Sequence, residues 1–372
     1  MKKQKKIIIS VTNDLYTDQR VKRICAFLHD TGYDITLCGR KLKSSPALND
    51  RPYRVKRFNL PFTTGALFYA SYNVRLFFYL LFHKTDVLLA NDLDTLLANR
   101  MAKSFKRNTT LVYDAHEYYT GVPELESRPK VQKVWQRIEK YCLPKVDKMY
   151  TVNSSIADLY QKLYPGKIEV IRNISNFIKA TKSLTKKELG LPLDKKIVII
   201  QGAGINVDRG AEEAVEAIKL VPNTVLIFVG DGDVIPALKE KVRAEKLTEK
   251  VLFYGKQPYE LLMNFTMQSD LGLSLDKDTN INYKFSLPNK VFDYIHAGIP
   301  LLVTDLVEVK KVVDAYQVGE VCRSLVPIDL AKQMENILFN KPLHAKYVFN
   351  THQAAKELNW KNESKKLARI YG

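Results

Sequence analysis

A segment near position 290 combines residue types that bind a phosphorylated ligand. It reads SLPNKVFDYIHAGIP over Ser286–Pro300 and is followed by the apolar stretch Leu301–Thr304. Pro288 suits the first turn of a helix, and Gly298 suits its end. The pattern therefore predicts a helix that leads directly into a buried strand.

The start of this predicted helix carries the candidate binding groups. Free N–H groups at a helix N-terminus attract phosphate, and Lys290 in the first turn would add a positive charge facing a diphosphate. Asp293, nearly one turn later, could accept hydrogen bonds from ribose hydroxyls. The residues alone leave a second interpretation open, a capped surface helix with a solvated lysine and aspartate.

A glycine-rich turn, QGAGINVDRG at Gln201–Gly210, follows a predicted strand and precedes the helical pattern Ala211–Leu220. Glycines let backbone N–H groups approach a phosphate closely, and Arg209 could pair with that phosphate. The turn is not a dinucleotide fingerprint, because the third glycine of that motif would fall at Val207. A tight turn without a ligand is the alternative.

Polar residues also cluster behind two predicted strands of the first half. They are Asn91-Asp92-Leu93-Asp94 and Tyr113-Asp114-Ala115-His116-Glu117. The carboxyl ends of parallel strands meet at one edge of a sheet, where active sites form. His116 could hydrogen-bond a substrate hydroxyl, and Asp114 or Glu117 could orient it or shift its pKa. Helix capping would explain the same residues without chemistry.

The elements that must position these residues alternate between strand and helix patterns, which is typical of two doubly wound α/β domains. The strands are predicted at Lys6–Val11, Asp34–Cys38, Asp86–Ala90, Thr110–Tyr113, Lys148–Val152, Ile168–Ile171, Lys196–Gln201, Thr224–Val229, Val251–Tyr254, Leu271–Leu275 and Leu301–Thr304. We expect a first domain over 1–175, a linker over 176–196, a second domain over 197–350 and a C-terminal helix over 351–372 that packs toward the first domain.

Composition narrows the function classes. The chain has 372 residues, of which 46% are hydrophobic and 26% charged, and this excludes a disordered or collagen-like protein. The net charge is +18, with +15 in residues 1–180 and +3 in residues 181–372. Such a localised positive charge attracts nucleic acid, an anionic membrane or a phosphorylated substrate. The four scattered cysteines predict no disulfide framework or zinc site, and the absence of a signal-peptide pattern predicts a cytoplasmic protein.

An aromatic segment, Ala66–Phe82, is the nearest approach to a membrane span, but Ser71, Asn73 and Arg75 interrupt it. A spanning helix needs roughly 18–20 uninterrupted apolar residues. We therefore expect a helix that either faces the core or lies on a membrane surface.

Taken together, these residues resemble the retaining glycosyltransferases of the GT-B fold, and most closely glycosyltransferase family 4. The resemblance covers almost the whole chain and rests on several ordered motifs. They are Thr17-Asp18-Gln19-Arg20-Val21, Asn91–Leu96, Tyr113–Glu117, Gln201–Gly210, Val229-Gly230-Asp231-Gly232 and Pro288–Pro300.

The resemblance implies two Rossmann-like domains facing across a cleft, the second holding a UDP- or GDP-sugar donor and the first meeting a glycan or lipid-linked acceptor. No bound metal or cofactor is implied. Catalytic roles pass to His116, near the transferred sugar, and to Arg209 and Lys290, which would neutralise the leaving diphosphate. Further donor-binding residues would be Gly202, Gly204, Gly230, Asn289 and Asp293, and acceptor-side residues would be Asp18, Arg20, Asp92, Asp94, Asp114 and Glu117.

The sequence departs from the family's Glu-x7-Glu signature, because Phe285 stands where the first glutamate is expected, eight residues before Asp293. The donor-sugar contacts of that glutamate therefore do not carry over. Two alternatives remain: a sugar-nucleotide epimerase of the same fold and, less favoured, a nucleic-acid-binding protein. The basic residues of the first half are scattered, form no recognised nucleic-acid module and accompany the aromatic segment Ala66–Phe82. We therefore favour a peripheral position on the anionic inner face of the membrane over binding to nucleic acid.

Overall fold

The structure is a computed structural model that describes residues 4–16, 18–48, 50–175 and 183–372. The chain divides into two compact units. One runs to Asn173 and is completed by Ser364–Gly372, and the other spans Ile174–Glu363. Each unit is built on one parallel sheet flanked by helices, so the predicted α/β fold with two doubly wound sheets is confirmed.

The first unit has a seven-stranded parallel sheet in the order β3-β2-β1-β4-β5-β6-β7, which reverses between β1 and β4. Its strands are β1 Lys6–Ser10, β2 Asp34–Lys41, β3 Arg54–Asn59, β4 Val87–Asn91, β5 Thr110–Ala115, β6 Lys148–Thr151 and β7 Ile168–Val170. Its helices are α1 Gln19–Asp30, α2 Gly65–Phe82, α3 Leu93–Ser104, α4 Pro123–Glu126, α5 Pro129–Cys142 and α6 Ser154–Gln161, with short 3₁₀ turns at Tyr119–Gly121 and Leu143–Lys145.

The second unit has a six-stranded parallel sheet in the order β10-β9-β8-β11-β12-β13, which reverses between β8 and β11. Its strands are β8 Lys196–Gly202, β9 Thr224–Gly230, β10 Val251–Phe253, β11 Leu271–Ser274, β12 Leu301–Thr304 and β13 Gly319–Cys322. Its helices are α7 Ala211–Ile218, α8 Ile235–Ala244, α9 Tyr259–Met267, α10 Ile281–Lys284, α11 Asn289–Ala297, α12 Val307–Tyr316, α13 Pro327–Phe339 and α14 Lys341–Glu357, followed by α15 Trp360–Tyr371.

The central strands are continuous apolar runs because helices cover both faces of each sheet. In β8, Ile197–Ile200 are all buried, and alternate residues enter the two cores on opposite faces of the second sheet. The predicted central strands are therefore close to the observed ones. Two edge strands, β3 and β13, carry no such run, and the sequence pattern did not predict them.

The predicted linker lies partly outside the described residues, and the predicted C-terminal helix contains parts of two helices. Residues 176–182 of the predicted linker, and Thr17 of the first motif, lie outside the described residues. The described end of the linker contributes Leu189 and Leu191 to a core of the second unit. In the predicted C-terminal helix, α14 ends at Glu357 and α15 follows.

The last residues of α15 pack within the first unit. The Tyr33 hydroxyl donates to the backbone oxygen of Tyr371, and the Lys148 ammonium donates to that of Ile370. The hydroxyls of Tyr150 and Tyr371 lie 3.1 Å apart. Tyr33, Tyr150, Ile370 and Tyr371 are buried, so the end of α15 forms part of the interior of the first unit.

Helix α2 is apolar on two faces. Phe68, Tyr72, Leu76 and Leu80, spaced four residues apart, are buried in the first unit. A second row is exposed and consists of Leu67, Val74, Phe78 and Phe82. The helix thus faces the core and also presents apolar side chains outward. In the part of the chain that the structure describes, no helix combines the length and apolarity that crossing a membrane requires.

Candidate active site

In the second unit, two loops meet where the strand order reverses. One follows β8 and leads into α7, and the other follows β11. Ligands bind at such reversal points in open α/β sheets. Lys277 N–H donates to the Asp208 carbonyl at 2.8 Å, and Gly210 has a left-handed φ of 73° with its backbone against Leu275. These contacts fix Arg209 beside the end of β11.

Arg209 and Lys290 converge on one buried carboxylate, that of Asp276. The Arg209 Nη1 lies 3.1 Å from Asp276 Oδ2, and the Lys290 Nζ lies 3.7 Å from Asp276 Oδ1. The Arg209 guanidinium also stacks over the ring of Tyr283, 4.6 Å from its centre. Two cations predicted to bind one diphosphate are therefore brought together, at the start of α11.

The cations sit in a partly dehydrated position. The side chain of Asp276 is 2% exposed and that of Lys290 is 11% exposed. Burial lowers the pKa of Lys290; Asp276 opposes this shift, and Arg209 lowers the pKa further. An anion that enters this position would be attracted strongly, because little water screens the two charges.

The predicted glycines serve backbone contacts between adjacent loops. Gly230 has φ 152°, and a Cβ there would lie 1.8 Å from the Gly202 carbonyl oxygen. A Cβ on Gly232 would lie 2.0 Å from the Ile205 carbonyl oxygen. By contrast, a Cβ on Gly204 would meet its nearest neighbour, Asn206, at 3.9 Å. Glycine is therefore required at positions 230 and 232 by close packing and at position 202 by its φ of 136°. At Gly204, by contrast, no neighbouring atom excludes a side chain.

The other donor-binding candidates lie on α11. Asn289 is the first residue of the helix, with Pro288 as its N-cap. Asp293 is buried and accepts hydrogen bonds from Gln201 Nε2 at 3.1 Å and from the Tyr259 hydroxyl at 2.9 Å. Asp293 therefore links α11 to β8 through a buried hydrogen bond. Its contact with ribose stays a prediction.

Sequence reasoning did not select Asp276, Tyr283 or Ser286. Ser286 Oγ lies 3.4 Å from Asp276 Oδ2. Of the three, Asp276 could have been selected by its position in the sequence, because it follows the largely apolar run Leu271–Leu275 and so stands at the carboxyl end of a predicted strand. Tyr283 becomes relevant only through the fold of the loop after that strand.

In the first unit, His116 lies between two carboxylates. Its Nδ1 is 3.2 Å from Asp92 Oδ2, and its Nε2 is 3.3 Å from Asp114 Oδ2. The Asp92 side chain also accepts the His116 backbone N–H at 2.9 Å. The second cluster of the sequence is thus brought together at the carboxyl ends of β4 and β5, with the imidazole partly exposed.

Arg20 contacts this cluster through Asp114. Its guanidinium forms a buried bidentate pair with Asp114, at 3.0 and 2.7 Å, and donates to the Ile171 carbonyl at 3.0 Å. Burial alone would raise the pKa of Asp114, but Arg20 and then His116 outweigh it, and the pKa is lowered. Arg20 and Asp114 are therefore placed to support His116.

His116 is held in its protonated form. Burial alone would lower its pKa, but Asp92 and Asp114 outweigh burial and raise the pKa to about 9. Burial raises the pKa of Asp92 in spite of the imidazolium. At neutral pH both N–H groups of the imidazolium are directed at carboxylates, so the ring is a hydrogen-bond donor and is not arranged to accept a proton.

The backbone at Asp92 has a conformation that residues other than glycine rarely adopt, with φ 57° and ψ 166°. This region is essentially confined to glycine and costs about 1–3 kcal/mol. In this conformation the Asp92 carboxylate contacts His116, and the Asp92 N–H donates to the Asp114 carbonyl at 2.9 Å.

The remaining acceptor-side candidates lie around this cluster. Asp94 is buried and accepts from Thr12 Oγ1 at 2.5 Å, and burial, aided by Asp92, raises its pKa to about 7. Asp18 caps α1 by accepting the Val21 N–H at 3.0 Å. Glu117 is exposed. Among the described residues, no group of three or more His, Cys, Asp or Glu is arranged to hold a metal ion.

Two family descriptions divide the chain between them. "Glycosyltransferase Family 4" matches residues 18–175, and "Glycosyl transferases group 1" matches residues 181–354. The chain belongs to the GT-B glycosyltransferases of the family 4 type. The family predicted from the motifs is therefore confirmed. No curated protein sequence matches this glycosyltransferase.

Solved structures share the fold of this glycosyltransferase along nearly its full length. Sucrose-phosphate synthase from Thermosynechococcus elongatus has a TM-score of 0.80 at 16% identity and covers 99% of this chain and 98% of its own. HepE from Anabaena, in complex with UDP and glucose, has a TM-score of 0.75 at 14% identity and covers 99% of both chains. WaaG, a glycosyltransferase involved in lipopolysaccharide biosynthesis, has a TM-score of 0.72 at 14% identity and covers 98% of this chain and 99% of its own.

Proposed function

We propose that the protein is a retaining glycosyltransferase that moves a sugar from a UDP- or GDP-sugar to a glycan or lipid-linked acceptor, in the synthesis of a cell-surface polysaccharide or glycolipid. The observation that carries the proposal is the convergence of Arg209 and Lys290 at the N-terminus of α11. Similar structures include HepE, which is bound to UDP.

The second unit would stabilise the leaving group. As the bond between the sugar C1 and the diphosphate oxygen breaks, negative charge grows on the diphosphate, and Arg209 and Lys290 would neutralise it. Retention follows from the family resemblance. The acceptor oxygen bonds to C1 on the face that the diphosphate leaves, and its proton passes to a phosphate oxygen.

The first unit would orient the sugar and the acceptor. His116, which Asp92 and Asp114 keep protonated, would donate a hydrogen bond to a sugar hydroxyl that lies beside one of these carboxylates and shares its N–H group. Asp94, with a pKa of about 7, would bind an acceptor hydroxyl. Arg20 would act indirectly, through the position of Asp114.

An anionic membrane is the proposed partner of the first unit. Val74, Phe78 and Phe82 of the exposed row line a groove of about 580 Å³ together with the cations Lys56 and Arg75. Lys106 lies at the end of the helix, where it donates to the His83 carbonyl at 2.8 Å. Apolar side chains among cations suit the boundary between lipid headgroups and acyl chains.

The reaction is tested by incubating the protein with UDP- and GDP-sugars, with and without glycan and lipid-linked acceptors. We expect release of UDP or GDP that depends on the acceptor. Formation of an epimer without an acceptor would instead identify an epimerase. Tight binding of nucleic acid at physiological salt, with no sugar-nucleotide turnover, would instead identify a nucleic-acid-binding protein.

The role of Lys290 is tested in the same assay. Lys290→Ala should lower kcat by about 10²–10³-fold, the usual effect of removing one group that stabilises a developing anion. Lys310→Ala is the matched control, because Lys310 is an exposed lysine of the same unit paired with Asp305. Unchanged kinetics of Lys290→Ala would remove this lysine from the site.

A further inference from the structure

Asp276 is a negative charge in a place proposed to receive a diphosphate. It follows β11 directly and is 1% exposed. A buried carboxylate is costly unless it is paired. Its Oδ2 accepts from Arg209 at 3.1 Å and lies 3.4 Å from Ser286 Oγ. Its backbone oxygen accepts from Thr304 Oγ1 at 2.6 Å, which anchors the residue to β12.

The pairing of Asp276 is incomplete on one side. Its Oδ1 lies 3.7 Å from Lys290 Nζ, beyond hydrogen-bond distance, and no other donor among the described residues reaches that oxygen. On the cation side, Arg209 Nε is buried and likewise lacks an acceptor in the described parts of the chain. Both cations are therefore oriented by Asp276 while they keep N–H groups for another anion.

We propose that Asp276 is a positioning residue that holds Arg209 and Lys290 in place and keeps Lys290 protonated before the donor diphosphate arrives. This inference rests on the proposed function, since it names the diphosphate as the incoming anion. The charged groups that act on Lys290 in the described structure are Asp276, from the loop after β11, and Arg209, from the loop before α7.

The consequence is a defined pH dependence of donor binding. Burial and Arg209 both favour the neutral amine of Lys290, and Asp276 opposes them. Removing a carboxylate within about 4–6 Å of a cation typically shifts its pKa by 1–3 units. Without Asp276, Lys290 should therefore lose its proton at lower pH, and affinity for a diphosphate should fall from that pH upward.

The experiment measures the Kd of UDP and of GDP between pH 7.5 and 10, where the phosphates are fully ionised. The variants are Asp276→Asn and, as a matched control, Asp278→Asn, whose exposed carboxylate pairs with Lys284. We expect the alkaline loss of affinity to begin about one pH unit lower, or more, in Asp276→Asn, and at the wild-type pH in Asp278→Asn. In a Lys290→Gln background, the Asp276→Asn change should leave the pH profile unmoved.

Each other outcome has a defined meaning. A parallel loss of affinity at every pH would show a merely structural role and overturn the inference, as would an unchanged profile. If Asp276→Asn does not fold, Asp276→Glu keeps the charge and should retain the wild-type pH limit; a lowered limit would contradict the inference. If the wild-type protein binds neither UDP nor GDP at any pH, the proposed function fails instead.

Discussion

At the scale of single residues, His116 gains its charge from its neighbours. Its folded-state pKa of about 9 lies above the ordinary value of 6.5. A raised pKa means that protonation favours the folded state, so the contribution is complete below about pH 6.5 and is lost as pH rises through 9. Asp92 and Asp114 cause this shift in pKa. The charge that His116 needs for the proposed sugar contact therefore also contributes to the stability of the fold.

His116→Gln tests this coupling. At pH 6 the free energy of unfolding of the variant should be about 1–3 kcal/mol lower than that of the wild type. This range is below the value that the full pKa shift would give, because solvent screens the partly exposed ring. The difference should shrink toward zero by pH 10, because the wild-type imidazole is then neutral. Urea denaturation of both proteins across this range measures it. A difference that does not change with pH would contradict the assigned charge state.

At the scale of elements, the loops after β8 and β9 fit together through glycine. The Gly230 backbone lies against the Gly202 carbonyl, and the Asp231 N–H donates to that same oxygen at 3.0 Å. A side chain at position 230 must therefore displace backbone rather than another side chain. The shape of the loop that carries Arg209 depends on this contact.

Gly230→Ala should destabilise the protein by about 2–5 kcal/mol, through backbone strain and overpacking together. Thermal unfolding measures the effect as a lowered Tm. Gly204→Ala provides the comparison within the same loop, since its Cβ would enter free space. Equal Tm values for the two variants would show that the loops are not held by the close approach at Gly230.

The limits of sequence reasoning follow from the same elements. Buried strands such as β8 and β9 are predictable because apolar runs identify them. Edge strand β3 has an alternating RVKRFN sequence with exposed charges, which resembles a loop until its neighbour β2 is known. The edge strands β7 and β10 are predictable because apolar residues dominate them, whereas β3 carries too few apolar residues to be recognised from the chain alone.

The candidate site divides in a similar way. Arg209, Lys290 and His116 are predictable because each lies next to a strand end or a helix start. Asp276 pairs with residues 67 and 14 positions away, which no local pattern encodes. The strained φ of Asp92 is also invisible in the sequence, since aspartate at a strand end normally indicates a helix cap.

At the scale of the whole molecule, charge and exposed apolar surface coincide in one half of the chain. Residues 1–180 carry +15, and the exposed row of α2 belongs to the same half. Electrostatic attraction would bring the protein to an anionic surface, and burial of aromatic side chains would then hold it there. The electrostatic contribution should be sensitive to salt, and the apolar contribution should be sensitive to loss of the aromatic side chains.

Vesicle co-sedimentation separates the two contributions. Replacing Phe78 and Phe82 together by serine should weaken binding to anionic vesicles at least tenfold, because burying one phenylalanine contributes about 1.5–3 kcal/mol. Raising the salt concentration should weaken binding of every variant by screening. Phe349→Ser, an exposed phenylalanine of the second unit, is the control. Equal binding to neutral and anionic vesicles would contradict the electrostatic contribution, and no effect of the double substitution would contradict docking through α2.

The final nine residues have a consequence for the order of assembly. Ser364–Gly372 belong to the first unit although they are synthesised after the second. During translation the first sheet can form early, but the partners of Tyr33 and Tyr150 arrive only with Tyr371. The first unit to emerge from the ribosome is therefore the last to be finished. A nascent chain interrupted before these residues would contain an intact second unit beside an open first one, which quality-control proteases can recognise.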